Sequence, residues 1–447
     1  MNIYDLARNV YNIMPKKFKQ VIIYKIRPCF YSFQYGKICK KAHKHYIMIQ
    51  KQINKKIIAG SSIRVGFYVV YDSVFSAKPV FEKMLSDNIF DPYLVIIPDV
   101  SRGHENMLYQ LNKTYRTFLD LFNEKRVLFG YNKQNNDFID YSDRFDIVSL
   151  SNPYDTMTHK YFQIWYLKDK DLLTFHTNYG FFSADNYSRY IIQSPFMSLA
   201  WKVFVETEYG YKEFKRYGVI KGKNVSLTGY SKLDEYAVQK KIHSDRKRII
   251  IAPHHTILNE TSRMARFSNF MEYADFFLKL PIKYPEIDFI FRPHPLLVVN
   301  LARDDIWGKK KTDMYLNKLL SHKNVMYSNE GSYYDIFLNS DAMIHDCSSF
   351  LVEYLVTGHP CCYMFRNTSQ INALFSKLGR KCLDFYYKAF NENDIINFID
   401  NTVIKEMDTN KKNRDLFVDQ YIKINYPNVS DKILLEIKEA ISGKALK

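Results

Sequence analysis

From Ser61 onward, short apolar runs alternate with longer segments in which apolar residues recur every three or four positions, the rhythm of strands joined by helices. Arg64 to Tyr71 (RVGFYVVY) reads as a buried strand, a helical stretch follows around Lys78 to Ser86, and Tyr93 to Ile97 (YLVII) reads as the next strand. A helical segment from about Asn106 to Asn123 leads to further short runs at Asp146 to Leu150, Leu172 to Phe175, Val203 to Glu206 and Val225 to Thr228. Together these predict one open, mostly parallel sheet. A polar, charged stretch after Tyr230 (SKLDEYAVQKKIHSDRKR) interrupts the pattern, which restarts at Arg248 to Ala252 (RIIIA) and continues through Ile287 to Phe291, Asn324 to Tyr327, Ala342 to His345 and Pro360 to Phe365. A second sheet is implied, and helical patterns from Asn393 onward close the chain. The expected class is α/β, with two Rossmann-like units, 61–235 and 236–447, facing a cleft, and ligands at the carboxyl ends of the strands.

The first sixty residues break this rhythm. They carry thirteen Lys and Arg against the single acid Asp5, a surplus of twelve out of a net charge of +17 for the whole chain. Apolar and aromatic residues (Phe18, Val21, Ile22, Ile26, Phe30, Tyr31, Phe33) are interleaved with the basic ones. Two readings stand for 1–60: an amphipathic region lying on an anionic membrane face, or a solvated basic helical pair packed on the body. Pro28 is expected to divide it into two helices. No helix-turn-helix, RNP or zinc pattern follows, so a nucleic-acid partner is not expected.

Six cysteines without CxxC spacing argue against a disulfide framework or a zinc ribbon and for a reducing, cytosolic setting. No apolar run approaches the roughly 18 residues of a membrane span, and the basic start lacks a signal peptide's apolar block.

The strand-end rule selects the polar residues that matter. In the second unit they are Pro253-His254-His255-Thr256 after RIIIA, Arg292-Pro293-His294-Pro295 after the run ending at Phe291, and Asp346-Cys347-Ser348-Ser349 after MIH. Ser348 and Ser349 open an amphipathic helix, FLVEYLVTGHP, where free N–H groups, hydroxyls and the helix dipole suit a diphosphate; the alternative is a simple cap. Arg292 and His294 supply positive partners for a leaving diphosphate. Glu353, four residues after Ser349, lies on the same helical face, placed to accept hydrogen bonds from a donor hydroxyl. Gly331, Ser332, Tyr333 and Tyr334 are candidates for a nucleobase-facing loop. In the first unit, His176 follows DLLTF and is expected at an open strand end, poised to take a proton from an acceptor hydroxyl. Thr228-Gly229-Tyr230-Ser231-Lys232-Leu233-Asp234 ends a strand with a glycine turn at Gly229, at the hinge between the units or in a simple linker. His254 and His255 either contact donor phosphate or fill the strand end, and without a nearby carboxylate–Cys spacing no metal site is expected.

The order of these motifs resembles the CDP-glycerol glycerophosphotransferases of teichoic acid and capsule synthesis, which have a GT-B fold. Residues 331–365, GSYYDIFLNSDAMIHDCSSFLVEYLVTGHPCCYMF, are similar to that family's succession of Tyr-Asp, Ser-Asp, Asp-Tyr-Ser-Ser, an acidic residue in the next helix and Gly-x-Pro. FRPHP at 291–295 resembles its Arg-x-His-Pro, IAPHH at 251–255 its strand followed by Ala-Pro, and TGYSKLD at 228–234 its Gly-x-Pro-Arg-x-Asp. The match spans roughly residues 170 to 370. It implies inverting transfer of a polyol phosphate from a CDP-alcohol to a hydroxyl of a lipid-carried glycan or polymer, with no required metal or cofactor, at the inner face of a bacterial membrane. By position, His176 would be the general base, His294 and Arg292 would stabilise the departing CMP, and Ser348, Ser349, Glu353, Asp346, His254 and Gly229 would hold the donor. The chain departs from the family in having His176-Thr177-Asn178-Tyr179-Gly180 for His-Gly, no Pro or Arg in TGYSKLD, and Cys347 after Asp346. Those departures lie close to the substrates, and a GT-B glycosyltransferase with a nucleotide-sugar donor is the alternative.

Overall fold

A computed structural model describes residues 14, 18, 21–242, 244–257, 266–329 and 333–443. The chain forms two units: the first takes residues up to Tyr179, Arg189–Thr228 and the segment from Ser430, and the second takes Gly180–Ser188 and Gly229–Val429.

The first unit is built on seven strands: β1 (Ile63–Val69), β2 (Phe90–Ile96), β3 (Val127–Phe129), β4 (Ile147–Leu150), β5 (Leu173–Thr177), β6 (Lys202–Val205) and β7 (Val225–Leu227). Their order is β3-β2-β1-β4-β5-β6-β7, every pair parallel. The central strands are apolar at nearly every position because helices cover both faces of a parallel sheet. Phe67 anchors the core, its ring meeting those of Phe75, Phe81 and Phe175 edge-on at 5.9, 5.3 and 5.9 Å.

The second unit holds β8 (Arg248–Ala252), β9 (Asp288–Phe291), β10 (Val325–Tyr327), β11 (Ala342–His345), β12 (Cys361–Met364) and β13 (Tyr387–Ala389), in the order β10-β9-β8-β11-β12-β13 and again all parallel. Ile249, Ile251, Phe289, Phe291 and Ile344 face the helix Phe270–Lys283, whose Phe270, Phe277 and Leu280 complete the core. The positions of β8 and β11 coincide with the apolar runs read from the sequence. The strands β3 and β13, each a three-residue edge strand, were not expected.

Three expectations are corrected. Residues 27–58 form one helix, α1 (Arg27–Ile58), with Pro28 in its first turn and a π-helical turn, Ile22–Ile26, running directly into it. The missing proline N–H falls where a helix has no partner for it, so the chain continues instead of breaking. α1 is also no separate segment. It belongs to the first unit, where Cys39, Ala42, Tyr46, Ile49 and Ile53 form a buried stripe at alternating three- and four-residue spacing. Tyr46 OH donates to the Leu199 carbonyl at 2.9 Å, and the His43 Nε2 donates to that of Ser198 at 2.9 Å.

The unit boundary also differs, since the crossing falls at Gly229 and the final helix α2 (Val429–Ile441) returns to the first unit. Its buried Ile433, Ile437 and Ile441 are joined there by polar ties: Gln50 Nε2 donates to the Ala440 carbonyl at 2.8 Å, and Ser226 Oγ to Glu436 at 3.2 Å. Conversely, Gly180–Ser188 is held in the second unit, where Ser376 Oγ donates to the Phe182 carbonyl and Ser183 Oγ to that of Ser348, both at 2.7 Å.

Candidate functional site

In the second unit β8 is central, flanked by β9 and β11, with Ile251 opposite Phe291 and Ala252 opposite His345. Because the three strands are parallel and end in step, Pro253–Thr256, Arg292–Pro295 and Asp346–Ser349 emerge side by side at one edge. Backbone bonds stitch them together: the Arg292 amide donates to the Ile251 carbonyl at 2.9 Å and the His294 amide to that of Pro253 at 3.0 Å.

This placement gathers three imidazoles. The rings of His254 and His255 lie 4.4 Å apart, those of His255 and His294 4.2 Å, and those of His254 and His294 5.3 Å. One ring nitrogen from each falls within 4.8 Å of the others, and among the described residues this is the group of His, Cys, Asp or Glu side chains close enough to converge on one ion. Burial and the two neighbouring imidazoles hold His254 well below its ordinary pKa, so it is neutral at pH 7. Its Nδ1 is bonded to Thr256 Oγ1 at 2.9 Å and receives the Thr256 amide at 3.3 Å. His294 Nδ1 accepts from the Leu296 amide at 3.1 Å, capping the helix Pro295–Leu301.

Arg292, on the adjacent strand end, is buried, donates to Ser328 Oγ and lies over the Tyr333 ring at 5.4 Å. Tyr333 OH in turn donates to Glu353 Oε2. Neither the Ser328 nor the Tyr333 contact was foreseen, since both depend on residues thirty-six and forty-one positions away from Arg292.

Several sequence-based assignments change here. Glu353 is 2% exposed and its carboxylate is engaged by Tyr333 and Tyr230, with burial raising its pKa and the Lys232 charge opposing that rise. It anchors the tyrosine beneath Arg292 and is not open to a donor hydroxyl. Tyr333 and Tyr334 are buried, packing on Phe337, Phe350 and Tyr236, so they do not face a nucleobase; Gly331 and Ser332 lie outside the described residues. Asp346 is 0% exposed and accepts from the His254 amide at Oδ1 and the Asn269 amide at Oδ2, each at 2.6 Å. Its carboxyl serves the backbone of the histidine loop and not a donor phosphate, and burial pushes its pKa up to about 7. Gly229 has φ +96°, and a Cβ there would lie 2.1 Å from the Ile424 carbonyl oxygen, so glycine is required by a close backbone approach and not by a ligand.

Ser348 is half-buried and Ser349 exposed. Ser349 has helical backbone angles and makes no side-chain cap bond, which removes the capping alternative for that hydroxyl. The predicted long helix is one α-turn, Phe350–Glu353, passing into a 3₁₀ turn, Tyr354–Thr357, and ending at Gly358. So short an element carries little macrodipole.

In the first unit, His176 lies inside β5 and not at an open strand end. It is 0% exposed, its Nδ1 donates to the Leu150 carbonyl at 2.6 Å, and its Nε2 has no hydrogen-bond partner among the described residues. Burial lowers its pKa to about 4. The Nδ1 bond fixes the tautomer and leaves the Nε2 lone pair as the basic atom. An open groove of about 550 Å³ on this unit, lined by Tyr109, Lys113, Arg116 and Lys133 among others, contains none of the candidate residues.

The outer face of α1 keeps the predicted basic character. Lys37, Lys40, Lys41, Lys44, Lys51 and Lys55 are exposed alongside Phe30, Phe33, Ile47 and Met48, with Phe33 88% exposed, and the helix contains no acid. The basic residues before it, Arg8, Lys16, Lys17 and Lys19, lie outside the described residues. No helix among the described residues is long and apolar enough to cross a membrane.

No protein-family model matches the chain, and no curated protein matches it. Solved structures do. A variant of the wall teichoic acid polymerase TagF is similar at 13% identity and TM-score 0.52, covering 94% of this chain and 98% of that one. UDP-GlcNAc 2-epimerase from Neisseria meningitidis, bound to UDP-GlcNAc, is similar at 14% identity and TM-score 0.52, covering 84% and 99%. The UDP-N-acetylglucosamine 2-epimerase from Rickettsia bellii is similar at 15% identity and TM-score 0.52, covering 85% and 97%. At these identities the likeness speaks for architecture, and with two parallel α/β units it establishes a GT-B fold.

Proposed function

We propose that this chain is a GT-B transferase that moves a polyol phosphate, glycerol or ribitol phosphate, from a CDP-alcohol to a hydroxyl of a cell-surface glycan or polymer on a lipid carrier. The observation that carries the reading is the gathering of Arg292, His294, His254 and His255 on adjacent parallel strand ends of the second unit. A guanidinium and several imidazole N–H groups, partly withdrawn from water, suit a group that gains negative charge as it leaves. In the reaction the acceptor oxygen forms a bond to the phosphorus that bears the polyol. The bond from that phosphorus to the bridging oxygen breaks, CMP departs with the electron pair, and the hydroxyl proton leaves to solvent, because burial of His176 keeps its Nε2 from the acceptor. Arg292 and His294 stabilise the departing CMP, with Ser348 and Ser349 as further donor contacts. No metal or cofactor enters this scheme. The basic outer face of α1 meets anionic lipid at the cytoplasmic side of the membrane, where a lipid-carried acceptor would be found.

A nucleotide-sugar donor is the second reading, favoured by the similar UDP-GlcNAc 2-epimerase bound to UDP-GlcNAc. Both are tested by a thermal-shift panel of CDP-glycerol, CDP-ribitol, CDP, CMP, UDP and UDP- and GDP-sugars against wild type and Ser348→Ala/Ser349→Ala. A ligand bound only by the native state raises the melting temperature. Stabilisation by a CDP-alcohol, reduced in the double variant, supports polyol-phosphate transfer. Stabilisation by a UDP- or GDP-sugar alone moves the chain to the glycosyltransferase reading, and silence towards every nucleotide refutes both.

A further inference from the structure

Three clustered imidazoles admit two opposite chemistries. With lone pairs turned inward they would hold a divalent metal; with N–H groups turned inward they would hold an anion. The hydrogen bonds made by the Nδ1 atoms decide between them for two of the three rings.

A backbone N–H is a donor in every protonation state. The Leu296 amide points at His294 Nδ1 at 3.1 Å, so Nδ1 is an acceptor and the proton of the neutral ring sits on Nε2. The same holds for His254, where the Thr256 amide approaches Nδ1 at 3.3 Å. With Nδ1 an acceptor, the hydroxyl of Thr256, 2.9 Å away, donates to it while its Oγ1 accepts from the Phe267 amide at 2.9 Å. A metal on either Nε2 would require a proton on Nδ1, placed against an amide proton. A metal on either Nδ1 would displace those bonds.

We infer that Thr256, acting through His254, and the Leu296 amide, acting through His294, hold both imidazoles as Nε2–H donors, so that the pair accepts an anionic oxygen and not a metal ion. Thr256 is therefore a positioning residue. That the oxygen belongs to a nucleotide diphosphate rests on the transferase reading above; the tautomer assignment does not. The motif is His-x-Thr at a strand end, and it was readable as such in the sequence only once the ring's partner was known.

The test uses the full-length protein with ¹⁵N-labelled histidine. Long-range ¹H–¹⁵N spectra without ligand, assigned with His254→Gln and His294→Gln, are expected to show Nε2–H for both rings. CDP affinity is expected to fall on the order of 10-fold in Thr256→Val, the loss of about one hydrogen bond, and to recover in Thr256→Ser. Zn²⁺ is expected to leave the wild-type melting curve unchanged. An Nδ1–H signature at either ring overturns the inference, as does Zn²⁺ stabilisation lost in His254→Gln, or CDP affinity in Thr256→Val equal to wild type. If no nucleotide binds while both rings show Nε2–H, the transferase reading fails and the positioning role of Thr256 stands.

Discussion

Asp346→Asn separates the service this residue gives the backbone from the charge it carries. Each carboxylate oxygen accepts one buried amide, from His254 and from Asn269. Asparagine offers one acceptor and one NH₂, so one amide is left facing a donor, a penalty of about 1–3 kcal/mol that does not vary with pH. The carboxyl adds a pH-dependent part. Burial raises its pKa from 3.8 to about 7, against the pull of the two amides and Arg366. Between those values the unfolded chain has lost the proton and the folded one retains it, so this group's contribution to stability is complete below the unfolded value and is lost as pH rises towards the folded one. Raising the pH from about 5 to about 8 crosses about two of those units, which is about 3 kcal/mol lost by wild type and not by the variant. Urea unfolding of both proteins at the two pH values measures the gap, and differencing removes every other titrating group. The expected outcome is that the disadvantage of Asp346→Asn shrinks by about 3 kcal/mol, or reverses, at the higher pH. A gap constant to within about 0.5 kcal/mol would show that the two amides hold Asp346 ionised throughout and would refute the reasoning.

Arg414 is 0% exposed and donates to both Asp408 oxygens and, at 2.6 Å, to the Gly358 carbonyl. Arg414→Met leaves the Asp408 carboxylate and that carbonyl without the guanidinium, so urea unfolding is expected to show a loss of about 3–5 kcal/mol, and a loss below about 1 kcal/mol would contradict a buried pair. On α1, Lys37, Lys41, Lys44 and Lys51 are exposed, and replacing all four by Glu is expected to leave the melting temperature near wild type. Cosedimentation with phosphatidylserine vesicles should weaken by at least about 4 kcal/mol, at about 1 kcal/mol per lysine, and unchanged cosedimentation would place any membrane contact elsewhere.

The sheets were legible because parallel strands covered on both faces are written as unbroken apolar runs, as RIIIA at β8 shows, and because the strand-end rule then singles out Arg292, His254 and His294. The partners that decide what those side chains do were not legible. Asp346, Glu353 and Gly229 sit at motif positions, yet one satisfies two amides, one anchors Tyr333 and one permits a close approach to Ile424. Each of these roles depends on a contact with a residue between 20 and 195 positions away, and no local pattern encodes it. The same holds for α2: an amphipathic stripe announces that a helix covers something, but not which of two sheets it covers.

The return of α2 to the first unit sets an order of events during synthesis. The strands of the first sheet leave the ribosome first, but the helix that covers Glu436's partners on β6 and β7 is made only after the whole second unit. The second unit, a nearly continuous stretch of chain, can mature while the first still lacks one packing partner. Until translation passes Ile441, apolar surface of the earlier-made unit stays open, and the nascent chain is most exposed to aggregation and chaperone capture in the part that was synthesised first.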